Sequence, residues 1–132
     1  MSSDIVVPIN SNSDIVSARQ QGRALANAMA FTSTDATLIT TAISELARNI
    51  VRYANHGEII LRQIRRGEKV GITVVARDHG PGIANVSQAM QDGFSTSGSL
   101  GLGLPGVQRL MDEFEIISGE NLGTTVTIRK WK

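Results

Sequence analysis

The sequence predicts an α+β fold of the α/β class: a two-layer sandwich in which helices cover one face of a mixed, mostly antiparallel sheet. Three observations carry this. Two helix-period stretches follow a short β-type run; two β-type runs meet at Arg66-Gly67-Glu68; and a last strand pair closes the chain. Strands joined by so short a turn pair as a hairpin, which rules out a purely parallel sheet, and helices grouped apart from strands pack on one sheet face.

Taken in order, Ile5–Ile9 is β-type and is closed by Asn10 and Ser11. Ser13 is a candidate cap for a helix from about Asp14 to Ala30, with Ile15, Ala18, Gly22, Leu25, Ala26 and Met29 on one face. Ser33 or Thr34 then caps a second helix that runs to about Ala54, and Asn55-His56-Gly57 ends it. The hairpin strands are Glu58–Arg65 and Lys69–Arg77. Residues Asp78–Gly103 are rich in Gly, Ser and Thr, with one short helical piece near Val86–Gln91. A third helix spans about Leu104–Asp112, and Phe114–Ser118 and Thr124–Trp131 form the final strand pair.

A length of 132 residues fits one domain, 1–132. The net charge of +1, from 13 basic and 12 acidic residues, gives no electrostatic reason to expect nucleic acid or a membrane as partner. With no cysteine, disulfides and thiolate metal sites are excluded. No stretch spans a bilayer, and Met1-Ser2-Ser3-Asp4 lacks a secretory signal's basic start, so a cytoplasmic location is expected.

Within the second helix, Glu45 and Asn49 lie one turn apart on one face. Ile39, Ile43, Leu46, Ile50 and Tyr53 form an apolar stripe; Glu45 and Asn49 border it, while Ser44 and Arg48 point to the solvated back. A carboxylate at a cleft edge can serve as a general base, and an amide oxygen is a hard ligand suited to Mg²⁺. Taken alone, the pair is as readily a helical ion pair of Glu45 with Arg48 or Arg52 beside a surface Asn49.

Asp78-His79-Gly80-Pro81-Gly82 follows an apolar strand, so an acceptor carboxylate meets a backbone that a ligand can approach closely. Further on, Ser95-Thr96-Ser97-Gly98-Ser99-Leu100-Gly101-Leu102-Gly103-Leu104-Pro105-Gly106 offers backbone amides leading into a helix, an arrangement that binds anions. No Lys or Arg lies between Arg77 and Arg109, so phosphates bound there depend on amides and a cation, which gives Asn49 a task. Gly101–Gly106 also matches GxGxxG, but no strand leads into it and too little chain follows for a βαβ unit. A Walker loop is excluded because no Gly-Lys-Ser/Thr is present. His56 and His79 have no neighbours at metal-ligand spacing and read as structural or solvated.

Glu45…Asn49, then Asp78-His79-Gly80-Pro81-Gly82, then Gly101-Leu102-Gly103-Leu104, with Gly123-Thr124-Thr125 last, resembles in order the boxes of the GHKL ATPase/kinase superfamily. Residues 40–50 and 92–114 are most similar to its RsbT-type switch serine kinases, which act in bacterial partner-switching stress pathways. The resemblance implies the Bergerat ATP-binding fold and Mg²⁺–ATP as cofactor. It implies Glu45 as the base toward a protein serine, Asn49 as the Mg²⁺ ligand, and Asp78 as acceptor of the adenine amine, with Gly80, Gly82 and Thr124 beside it. Ser97, Gly98, Ser99 and Leu100 would belong to a lid, and Gly101, Leu102, Gly103 and Leu104 would contact phosphate. The implied partners are a STAS-domain antagonist and stressosome scaffold and a PP2C-type phosphatase. Anti-sigma relatives share these boxes, so a nucleotide-regulated module that sequesters a partner is the competing reading. A domain that binds nucleotide without turnover is a third.

Overall fold

The computed structural model describes residues 4–82, 90, 103–119 and 122–132. Along the chain run β1 (Ile5–Ile9), α1 (Asn12–Ala28), α2 (Ser33–Tyr53), β2 (Gly57–Arg66), β3 (Lys69–Asp78), α3 (Gly103–Leu110), β4 (Glu113–Ser118) and β5 (Thr124–Trp131). The helical piece expected near Val86–Gln91 lies outside the described residues apart from Met90.

The sheet has the order β1-β2-β3-β5-β4, with β1 and β4 at its edges. All four pairings are antiparallel, which bears out the expected two-layer α+β sandwich with a mostly antiparallel sheet; no parallel pairing occurs among the described strands. The connections explain why. Two successive helices between β1 and β2 return the chain antiparallel to its start. β3 and β4 run the same way, but β5 inserts between them and pairs antiparallel with both.

Alternation along the strands defines the two faces. Val7, Ile9, Ile59, Leu61, Ile72, Val74, Ala76, Val126 and Ile128 are buried and form, with the helices, one core. Val6, Ile60, Val75 and Thr127 lie on the opposite, helix-free face in one cross-strand row.

Helix α2 is the central element of the helical layer. Ala36, Ile39, Ala42, Ile43, Leu46, Ala47 and Ile50 are all buried. Its start is capped by Thr32, whose hydroxyl accepts from the Asp35 N–H at 3.1 Å; the cap therefore lies just before the Ser33 or Thr34 expected. Helix α1 likewise starts earlier than the expected Ser13 cap. Ser11 is its N-cap, and the Asp14 carboxylate accepts from the backbone N–H groups of Asn10 (2.8 Å) and Ser11 (3.1 Å).

Two placements on α2 differ from expectation. Ser44, expected on the solvated back, is buried, because α1 packs along that side of α2. Its hydroxyl donates to the Thr40 carbonyl at 3.0 Å, and the Thr40 hydroxyl in turn accepts from Arg23 of α1 at 3.2 Å. Tyr53, expected in the apolar stripe, is 55% exposed at the last residue of the helix.

Candidate active site

Helix α2 organises the site. The Glu45 side chain is buried, and each of its carboxylate oxygens has a donor. Arg48, one turn along, donates from Nη1 to Oε1. The backbone N–H of Gly103, the first residue of α3, lies 3.4 Å from Oε2. The pairing of Glu45 with Arg48 is the helical ion pair that the sequence left open, and Arg48 is half-buried rather than on the solvated back. The contact from α3 adds what no helical ion pair supplies: the amide end of a second helix converges on the same carboxylate.

Asn49 is half-buried, and its amide makes no hydrogen bond to any other described residue. That leaves its oxygen available to a cation. Among the described residues no cluster of three or more His, Asp or Glu could hold a metal. A magnesium ion fits such a site only where a nucleotide supplies further oxygens, since Mg²⁺ commonly takes one or two protein ligands and fills the rest with phosphate and water.

The second centre is at the end of β3. Asp78 is half-buried, and its Oδ1 accepts from the Gly80 N–H at 3.0 Å and the Thr124 N–H at 3.1 Å. Its Oδ2 has no hydrogen-bond partner among the described residues. Two glycines make this arrangement possible. Gly82 has φ 81°, and a Cβ there would fall 1.9 Å from the Gly119 carbonyl oxygen. Gly123 has φ 77°, and a Cβ would fall 2.3 Å from the Asp78 carbonyl oxygen. Both positions combine a left-handed backbone with a backbone neighbour that cannot yield, so only glycine fits. Gly80 lies against Ala54, where α2 ends, which brings the loop after Asp78 to the C-terminal end of the helix that carries Glu45 and Asn49.

Glu45, Asn49, Asp78, Gly80, Gly82, Gly103, Leu104 and Thr124 are therefore grouped along α2 and the adjoining ends of β3, α3 and β5. Ser97, Gly98, Ser99, Leu100, Gly101 and Leu102 lie outside the described residues. The sequence offers Arg48 as an ion-pair partner of Glu45 yet places it on the solvated back, because helical periodicity gives direction but not the reach of a long side chain. Ser118 escapes that reading. Ser118 donates to the Gly123 carbonyl at 3.0 Å and shares a 2.7 Å hydroxyl contact with Thr124; its register opposite Thr124 is the signal, and a single sequence does not display register. His79 is exposed, and His56 is exposed with its Nδ1 3.1 Å from the Asn10 side-chain oxygen, in keeping with structural or solvated roles.

A model of the histidine kinase-like ATPase domain matches residues 10–130. The chain belongs to the histidine kinase-like ATPase domain family. Within that family it is 50% identical over 131 residues to the serine/threonine-protein kinase RsbT of Bacillus subtilis (strain 168), covering 99% of this chain and 98% of that one. It is 39% identical over 101 residues to an anti-sigma F factor of Anoxybacillus flavithermus (strain DSM 21510 / WK1), covering 71% and 68% of the two chains. Among solved structures, the RsbU and RsbW domains of Rv1364c from Mycobacterium tuberculosis match at a TM-score of 0.63 and 24% identity, over 98% of this chain and 31% of that one. The mycobacterial sensor histidine kinase MprB matches at a TM-score of 0.57 and 13% identity, over 99% and 97%. At such identities the two structures show the shared ATPase-domain fold alone.

The resemblance to GHKL proteins and to RsbT-type kinases is thereby borne out, as is the expectation of a protein-kinase enzyme on an ATPase domain. Kinship with both a kinase and anti-sigma factors supports a serine kinase that works by partner switching, and the domain type implies ATP as its nucleotide. Among the described residues no helix is long and apolar enough to cross a membrane.

Proposed function

We propose that this chain is a Mg²⁺–ATP-dependent protein-serine kinase that phosphorylates a STAS-domain antagonist or scaffold in the cytoplasm and then engages a PP2C-type phosphatase. The observation that carries the reading is the convergence on α2: a buried carboxylate faces the amide end of α3, with an unengaged amide one turn away. A base without an adjacent phosphate site, or a phosphate site without a base, would fit a binding module equally well.

On this reading Asp78 accepts the adenine amine through Oδ2 while Oδ1 stays fixed by the Gly80 and Thr124 amides. Gly82 keeps the backbone close to the base, and Thr124 lines the same edge. The amide end at Gly103 and Leu104 faces the phosphates, with Ser97, Gly98, Ser99, Leu100, Gly101 and Leu102 assigned to the lid and phosphate loop by their motif. Asn49 would hold Mg²⁺, whose contribution is to neutralise phosphate charge. Glu45 accepts the proton of the attacking serine hydroxyl; the serine oxygen bonds to the γ-phosphorus, the bond to the bridging oxygen breaks, and ADP leaves. Phosphoryl transfer depends chiefly on alignment and charge stabilisation, both of which a rigid helix and fixed amides supply.

Incubation with labelled ATP, Mg²⁺ and a STAS-domain protein from the same genome, followed by phosphosite mapping, tests the reading. Wild type should label one serine. Glu45→Ala should lower transfer by about 10²–10⁴-fold, the usual contribution of a general base, with ATP affinity retained. Unchanged transfer in that variant rejects the role of Glu45.

The anti-sigma relatives favour a second reading, nucleotide-regulated capture of a protein partner. It predicts a stable nucleotide-dependent complex and no phosphoserine in the same experiment.

A further inference from the structure

Arg48 stands where neither the motif nor periodicity assigns a task, and its contact with Glu45 has a geometry that bears on the kinase reading above, on which this inference rests. The Glu45 carboxylate is held asymmetrically. Oε1 is engaged by a guanidinium, whereas among the described residues Oε2 meets the Gly103 N–H at 3.4 Å, beyond the usual length for an amide donor. The first is a charge-assisted bond and the second is weak, so Oε1 is the anchored oxygen and Oε2 the one with a lone pair to offer.

Burial makes the anchor necessary. The Glu45 side chain is 7% exposed and that of Arg48 is 38%, so the carboxylate is out of water while the guanidinium reaches it from the rim. A buried carboxylate without a partner is costly to hold, and a glutamate free to sample rotamers is a poorly aimed base. Arg48 addresses both from one turn along the same helix, with no other element required. Anchoring Oε1 turns Oε2 toward the N-terminus of α3, the end at which the transferable phosphate would sit.

We infer that Arg48 is the positioning residue of this kinase: its guanidinium fixes Glu45 through Oε1 so that Oε2 faces the phosphate end of α3 and takes the serine proton. Arg48 itself touches neither nucleotide nor substrate.

The test compares Arg48→Ala, Arg48→Lys, Glu45→Ala and the double variant in steady-state phosphotransfer to a STAS-domain protein, with nucleotide affinity and thermal midpoint measured alongside. Arg48→Ala should lower kcat by about 10²-fold, the scale of a misaimed reacting group, with ATP affinity and KM for ATP kept and the thermal midpoint lowered because the buried carboxylate loses its partner. Arg48→Lys should recover part of kcat, since an ammonium keeps the charge but not the planar fork. Adding Arg48→Ala to Glu45→Ala should cost nothing further, because the two act as one unit. Wild-type kcat in Arg48→Ala, or multiplying losses in the double variant, overturns the inference. So does a fall in ATP affinity in step with kcat, which would mark a structural role. If Glu45→Ala is fully active, the base assignment itself has failed; if Glu45→Ala is inactive and Arg48→Ala is normal, only the positioning role has failed.

Discussion

Asp78 has one carboxylate oxygen committed and the other without a partner among the described residues. With two amides on Oδ1, the side chain cannot rotate to present anything but Oδ2 to a ligand. Asp78→Asn keeps an oxygen for those amides and places an NH₂ where an acceptor is needed. A lost bond to a charged acceptor is worth about 1.5–3 kcal/mol, so ATP affinity should fall by roughly 10- to 100-fold; equal ATP affinity by calorimetry would reject the assignment. Asn49→Ala removes the unengaged amide oxygen and should raise the Mg²⁺ concentration for half-maximal transfer, read by titration at saturating ATP. An unmoved midpoint would count against the metal role. Both residues stand out in the sequence as candidates because the chemistry limits which side chains would serve. The Glu45–Arg48 pairing stands there only as an alternative, and the Ser118–Thr124 contact is not visible because it depends on register.

At the scale of elements, α2 is both the wall of the site and the middle of the core. Ile43 is fully buried between the sheet and α1. Ile43→Ala should lower unfolding free energy by about 2–5 kcal/mol, measured by denaturant titration, and a loss well under that range would show that the helix layer can collapse around the gap. Strands were the most legible elements: Thr124–Trp131 has the bounds its alternation predicts, β2 extends its predicted strand by one residue at each end, and β3 extends its own by Asp78. Helix faces were less so. An apolar stripe identifies the side of α2 that meets the sheet, but α2 also meets α1, so Ser44 is buried on a side that periodicity alone gives to solvent. The all-antiparallel pairing was hidden for a similar reason: the insertion of β5 between β3 and β4 is a tertiary choice.

For the whole molecule, two carboxylates tie distant strands together and set the response to acid. Glu113 of β4 accepts from the Trp131 indole N–H of β5 at 2.6 Å and from Arg66 of β2 at 3.0 Å, and the Arg66 guanidinium lies over the Trp131 ring. The indole bond first, then Arg66, hold its carboxyl below the ordinary carboxylate range. Asp4 takes two 2.8 Å bonds from Arg62 of β2 and is lowered in the same direction. Because the folded-state values lie below those of the unfolded chain, this stabilisation is complete above the ordinary carboxylate range and is lost as pH falls through the depressed values. Thermal midpoints measured in steps of falling pH should decline there, and Asp4→Asn with Glu113→Gln should flatten that decline. An identical decline in the double variant would assign the acid response to other groups.

The sheet's open ends have a consequence for how copies of the chain meet in a crowded cell. A free strand edge is a template on which another chain can add a strand, and growth from such edges is how ordered aggregates begin. Here both edges are short, five residues in β1 and six in β4. β1 carries Pro8, which lacks a backbone donor, and β4 carries Glu113 and Glu115. A second copy approaching either edge meets a gap in the donor row or like charge. Among the described strands, both edges therefore discourage fibrous growth.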